Sequence, residues 1–375
     1  MSCLYIHIPF CLQKCAYCSF VSFGGREELF GRYVATLCRE AEQTAARAAH
    51  TPLSTLFFGG GTPSLLPAAS ISKIIDCCHD LLGFTSGIEI SLEANPGTID
   101  YAKLAELRRA GVNRLSIGVQ SFDDHELHRL GRAHNGEQAL TTVRHARKAG
   151  FDNLSLDLMS GLPGQSADAW RRNLEQALAL NPEHLSCYQL TIEEDTPFGR
   201  LQNQGLLELP HEDAIVAMDE ITHTLCPAAG LERYEISNFA RPGQECRHNL
   251  NYWHNRPYLA LGAGAVSYDT KRRQRRLSDP QRYCELMESG DSIVIDEENL
   301  GTEASFRETI IMGLRLIQGV SINELQHRFH LNPGSYYGET LDRLISRNLL
   351  IIEQDRLRLT PHGLTFANRV MAELV

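Results

Sequence analysis

PFCLQKCAYCSF, Pro9 to Phe20, places Cys11, Cys15 and Cys18 within eight residues, with Tyr17 just before the last of them. A disulfide uses two thiols and a structural zinc site uses four ligands. Three thiolates suit a group that keeps a further coordination position open, and cysteine thiolates are the usual ligands of iron–sulfur clusters. Spacing alone leaves a zinc knuckle open, with Cys3 or His7 borrowed as fourth ligand.

Working outward, the cysteines follow a strand-like run, CLYIHI (3–8). Five more such runs follow: LSTLFF (53–58), GIEISLE (87–93), VNRLSIGV (112–119), FDNLSLDLM (151–159) and EHLSCYQLT (183–191). Amphipathic segments near 29–48, 67–82, 99–110, 135–149 and 167–180 lie between them, and Gly111 and Gly150 are placed to close two of these helices. Strand–helix alternation implies parallel strands with right-handed crossovers. Six strands are too few for a standard eight-stranded barrel. The expected fold is α/β, a partial parallel (β/α)6 barrel, with a doubly wound sheet as the competing architecture.

The unusual residues fall at the C-terminal ends of these runs. The cysteines follow the first, GGGTP (59–63) follows the second, Glu93 ends the third, Gln120 the fourth, and Asp157, Gln189 and Thr191 lie near the ends of the fifth and sixth. Parallel sheets build their sites at that end, so one composite pocket is expected. GGGTP lacks the Gly-Lys-Ser/Thr ending of a P-loop. Its glycines allow a sharp turn and close approach of a ligand to bare backbone.

The chain has 375 residues, ordinary globular composition, eleven cysteines and a net charge of −10. That charge argues against whole-surface nucleic-acid binding. The start, MSCLYIHIPF, carries no secretion-type signal, and no apolar run approaches a membrane span. A cytoplasmic location is expected, with the remaining cysteines free and mostly packing residues. Three regions are expected: a barrel at 1–200, an extension at 201–300, and a small helical domain at 301–375 whose helix–hairpin order resembles a winged helix. KRRQRR (271–276) is the one strong basic run, read first as a solvated hairpin and second as a contact for propionates or an anionic membrane surface.

The C-x3-C-x2-C spacing with GGGTP resembles the radical S-adenosylmethionine (SAM) superfamily. The resemblance implies a [4Fe-4S] cluster on Cys11, Cys15 and Cys18 whose open iron binds SAM. It also implies that Glu93, Gln120 and Asp157 meet ribose hydroxyls and that Arg132 meets the methionyl carboxylate. LYIHIPFCLQKCAYCSF, GGGTP, ISLEANPGT, NRLSIGVQSF, LDLMSGLPGQS and HNLNYW together resemble, more narrowly, the oxygen-independent coproporphyrinogen III oxidase-like family. That likeness implies SAM contacts at Tyr5, Gly60, Gly61, Thr62, Glu93, Gln120, Arg132 and Asp157, a backbone contact at Thr191, and a second SAM near Tyr17.

Phe20 stands where the family's oxidases carry a fourth cysteine, and only four residues precede Tyr5 where they carry a longer lid. HNLNYW (248–253) is instead similar to the motif of the family's haem-chaperone branch. The resemblance implies haem as cargo, acceptor haemoproteins as partners, and His248 as axial ligand, with Cys246 competing. Tyr252 and Trp253 would stack on the macrocycle, and Arg247 and Arg256 would meet propionates. The plainer reading is that His248, Asn249 and Trp253 pin a loop. Two other functions stay in view: a radical reaction on coproporphyrinogen III or another tetrapyrrole, and a nucleic-acid-binding or regulatory role of the C-terminal domain, which its missing basic face argues against.

Overall fold

The computed structural model describes residues 2–46 and 51–375, so the expected extension of the first helix to residue 48 lies outside the described residues. Six strands lie side by side in chain order, all parallel: β1 (Ser2–Ile8), β2 (Leu53–Gly60), β3 (Phe84–Ala94), β4 (Arg114–Gln120), β5 (Leu154–Ser160) and β6 (His184–Gln189). A doubly wound sheet needs a switch point where strand order reverses, and this order has none. Three short strands extend the flanks. β7 (Glu232–Arg233) and β8 (Asn238–Ala240) add antiparallel beyond β6, and β9 (Leu259–Leu261) adds parallel beyond β1. β1 and β6 therefore end on different neighbours, and the barrel stays open.

Period-two alternation sorts the side chains. Leu4, Ile6, Leu56, Phe58, Ile90, Leu92, Leu115, Ile117, Leu156 and Leu158 face outward and are fully buried or nearly so. They pack in one core with the crossover helices α1 (Phe30–Ala45), α2 (Ala68–Leu82), α3 (Tyr101–Arg109), α5 (Gly136–Lys148) and α6 (Ala167–Ala179), while α4 (Asp124–Leu130) packs through Leu130 into a separate cluster with Met159, Leu162, Leu190 and Phe198. Each such side chain contributes about 1.5–3 kcal/mol by burial. The inward set is mostly polar: Tyr5, Glu89, Glu93, Arg114, Ser116, Ser155, Asp157, His184 and Ser186, with Phe57 and Met159 as apolar exceptions. A closed barrel fills that space with branched apolar residues; here it is left for a ligand.

Local signals set the helix ends. Asp100 caps α3 through the Lys103 amide, and Asn135 and Gln138 form a capping box on α5. The seven-residue α4, capped by Asp123 and ended by left-handed Gly131, was not foreseen. It is too short to show a helical period, yet it delivers Arg132. Two further helices, α7 (Pro197–Asn203) and α8 (Glu212–Ala228), lead to α9 (Arg247–Trp253).

The end of the chain forms its own core around Phe306, Ile310, Leu325, Leu341, Leu344 and Leu357. The hairpin Leu350–Glu353 with Arg356–Leu359 takes Val320–Ser321 as a third strand, the arrangement expected of a winged helix. The basic run differs from its second reading. Arg272–Arg276 is the central strand of a separate three-stranded sheet, and an acidic strand, Val294–Asn299, lies beside it. Arg272 meets Asp269, Arg273 meets Glu298, Arg275 meets Asp296, and Arg276 turns inward to buried Glu40. With its arginines matched by acids, the run offers no free basic stripe to a membrane. Among the described residues no helix is long and apolar enough to cross one.

Candidate functional site

The cysteine loop leaves β1 and is pinned by backbone on three sides. The Phe23 amide donates to Pro9 O at 2.8 Å, the Ala16 amide to Leu130 O at 3.0 Å, and the Phe198 amide to Ala16 O at 2.9 Å. The GGGTP turn lies directly on its entry: Gly61 N donates to Ile8 O at 2.9 Å and Thr62 N to Phe10 O at 2.7 Å. A Cβ on Gly60 would meet the His7 ring at 2.4 Å, and one on Gly61 would meet Phe10 O at 2.6 Å. The glycines are thus demanded first by the chain's own backbone and by His7, whose Nε2 bonds Val21 O at 2.8 Å.

Donors are aimed at the thiols. Thr62 Oγ1 donates to Cys11 Sγ at 3.5 Å while accepting from Asn95 Nδ2 at 3.0 Å. Arg132 Nη1 donates to Cys15 Sγ at 3.6 Å, and Nη2 to Gly118 O at 2.6 Å. Arg132 Nε is buried with no partner among the described residues. Burial pushes the Cys18 thiol up, and the neighbouring Cys15 and Cys11 charges push it further. Thiolates crowded in this way need cationic iron or another cation to hold them charged. Among the described residues no three His, Cys, Asp or Glu side chains converge as a single ion requires. A four-iron cluster needs no such convergence, because each thiolate binds a different iron. The donor set fits the cluster.

These groups open onto one cavity of about 460 Å³ inside the barrel, within the size range of cofactor sites. Tyr5, Cys11, Cys15, Tyr17, Cys18, Gly60, Gly61, Thr62, Glu93, Gln120, Arg132, Asp157 and His248 all line it. Thr191 is exposed past the end of β6 and is not part of the wall. Gln120 reaches the cavity from a bulge against β5, with φ of 64°, a strained backbone of the kind that gathers at functional sites. Asn95, Ser116, Ser155, His184, Ser186 and Tyr188 also line the cavity and were not singled out in the sequence. Their signal was alternation: polar residues at every second position of strands that a closed barrel would make apolar throughout.

Burial, then the charge of Asp157, pushes the Glu93 carboxyl from its ordinary 4.5 up to about 8. Asp157 is raised by burial against hydrogen bonds from Ser186, Ser116 and Ser155. Between about pH 4.5 and about pH 8 the folded chain keeps a proton that the unfolded chain has lost, so stability falls as pH rises. In cluster-free protein, Glu93→Gln is expected to melt above wild type beyond about pH 8, the gap closing toward pH 4.5. Parallel melting curves across that range would refute a proton held on Glu93.

The floor is α9. Glu89, inward on β3, accepts from the amides of Arg247 and His248, each at 3.1 Å, which are unpaired donors of the helix's first turn. His248 is buried, stacked on Phe57 with centroids 5.1 Å apart. Its Nδ1 bonds Thr55 Oγ1 at 2.7 Å and its Nε2 bonds the Tyr252 hydroxyl at 2.9 Å. Burial pushes its pKa down to about 3, so the ring is neutral. Cys246 lines the same floor, its thiol raised to about 12 by burial and by Glu89. Two flanking expectations need correction. Trp253 faces away from the cavity, with the Arg315 guanidinium 4.5 Å from its ring centroid. Arg247 spends its guanidinium on Gly87 O (2.8 Å) and Ser54 O (3.3 Å), and neither it nor Arg256 lines the cavity.

An open parallel barrel whose first crossover loop carries three thiols, with a glycine turn beside it, defines the radical SAM superfamily, whose model matches residues 5–177. The HemN C-terminal domain model matches residues 303–366. Coproporphyrinogen III oxidase (HemN) from Escherichia coli, a radical SAM enzyme, has the same fold: TM-score 0.86 at 23% identity, over 100% of this chain and 89% of that one. Within the superfamily the chain belongs to the haem chaperone HemW family. It is 36% identical to heme chaperone HemW of Bacillus subtilis over 99% of this chain and 98% of that protein. To HemW of Synechocystis it is 36% identical over 99% and 95%, and to HemW of Escherichia coli 44% identical over 70% and 68%.

Proposed function

We propose that this chain binds haem in the barrel cavity and delivers it to acceptor haemoproteins, beside a SAM-binding [4Fe-4S] cluster. The observation that carries the reading is the placement of the HNLNYW helix as the cavity floor, with a neutral imidazole facing the cavity. Cys11, Cys15 and Cys18 would hold the cluster. Glu93, Gln120 and Asp157 would hold SAM's hydroxyls and Arg132 its carboxylate. When bound, cluster and SAM together supply one-electron cleavage of the sulfonium.

His248 supplies the axial nitrogen in this reading. With Nδ1–H donating to Thr55, Nε2 carries the lone pair, and the Tyr252 hydroxyl donates to it. Exchanging that hydroxyl for iron gives up one hydrogen bond of about 1 kcal/mol. His248→Ala is expected to lose the haem Soret band after gel filtration and to keep its cluster. Tyr252→Phe, which frees Nε2, should hold haem at least as tightly as wild type. Unchanged haem spectra in His248→Ala would remove that residue from the site.

The second reading, coproporphyrinogen III oxidation, is favoured by the shared fold. Phe20 in place of a thiol favours the first. No conversion of coproporphyrinogen III is expected with cluster, SAM and reductant present, as followed by porphyrin fluorescence. Sustained turnover would promote the oxidase reading.

A further inference from the structure

Among the described residues Phe20 is the most exposed aromatic, with 65% of its surface open, and it lines the cavity. An exposed aromatic ring on the rim of a cavity offers its apolar face to a ligand held there. Lys14 lines the cavity beside it, its Nζ donating to Phe20 O at 3.1 Å. That bond to a neutral carbonyl is the ammonium's only hydrogen bond among the described residues, so its charge is available to an anion. Tyr188, 42% exposed on β6, also lines the cavity. Glu193, Glu194 and Asp195 line a separate open depression that Lys14 and Cys18 also line. Those acids repel an anion there, so an anionic ligand meets Lys14 from the cavity side.

One apolar face and one cation side by side, at the mouth of a cavity, match a flat apolar macrocycle with carboxylate arms. We propose that Phe20 and Lys14 form the outer end of the tetrapyrrole site: the Phe20 ring covers a macrocycle face and the Lys14 ammonium pairs with a propionate. This rests on the haem reading and deepens it. It assigns a binding role to the residue that replaces the oxidases' fourth cysteine, and it locates the propionate contact that Arg247 and Arg256 do not provide.

The test uses the full chain with its cluster and three probes: haem, metal-free protoporphyrin IX and haem dimethyl ester. Phe20→Ala is expected to weaken haem and metal-free porphyrin equally, by about tenfold, because a face contact does not involve iron. Phe20→Tyr should restore both. Lys14→Glu should weaken haem about fivefold and leave the diester unchanged, since the diester has no propionate charge. Iron and sulfide contents of each variant verify that the loop is intact. Wild-type affinity in Phe20→Ala, or a loss confined to haem, overturns the proposal while the haem reading stands. Failure of wild type to bind haem overturns that reading and this proposal with it. Should Phe20→Ala lose its cluster, failure of cluster-bearing Phe20→Leu to lower the affinity for either porphyrin overturns it equally.

Discussion

Replacing any one of Cys11, Cys15 and Cys18 by Ala is expected to lower iron and sulfide after anaerobic reconstitution from about four each per chain to near zero. The effect is all or nothing because nothing nearby can substitute. Cys3, the nearest other cysteine in sequence, is buried on β1, and His7 has both ring nitrogens engaged, by Tyr5 and by Val21 O. Cys77→Ala serves as the control. It lies on α2 with Sγ against Cys38 O at 3.8 Å, and its removal should leave the cluster intact. Stoichiometric zinc instead of iron after anaerobic purification would defeat the cluster assignment. So would an unchanged iron content in the Cys15 variant.

The second large effect is expected at Glu89. Its carboxylate accepts two α9 amides inside the barrel, and Cys246 Sγ approaches it at 3.8 Å. Hydrogen bonds to a charged group contribute about 1.5–3 kcal/mol each. Glu89→Ala should therefore cost about 3 kcal/mol or more in chemical unfolding and leave two amides unpaired in the interior. Glu89→Gln, which keeps one carbonyl oxygen, should cost less. Because the same amides place His248, haem retention should fall with Glu89→Ala while the cluster, on the other end of the barrel, remains. An unfolding midpoint equal to wild type, or full haem retention, would show that α9 is held by other contacts.

How much of this was legible in the sequence depends on range. The triad, GGGTP and the strand ends carrying Glu93, Gln120 and Asp157 were readable, because each rests on spacing within a few residues. The register Gly118 to Asp157 to Ser186 then brings the strand ends onto one wall. Glu89 gave no signal of its own. It alternates with Ser91 and Glu93 like any polar strand residue, and its partners lie more than 150 residues further on. The basic run was legible as charge but not as a neutralised strand, since the acids that meet Arg273, Arg275 and Arg276 arrive from other segments.

The sequence by itself determined the local chemistry: which loop holds thiols, which strands are parallel, and which positions alternate. Tertiary structure alone decided which way Trp253 and Arg247 turn, that α9 closes the floor, and that His248 is neutral with both nitrogens engaged. The physical reason is register. Period two settles which residues share a face, but only long-range pairing sets what they face and how far they lie from water.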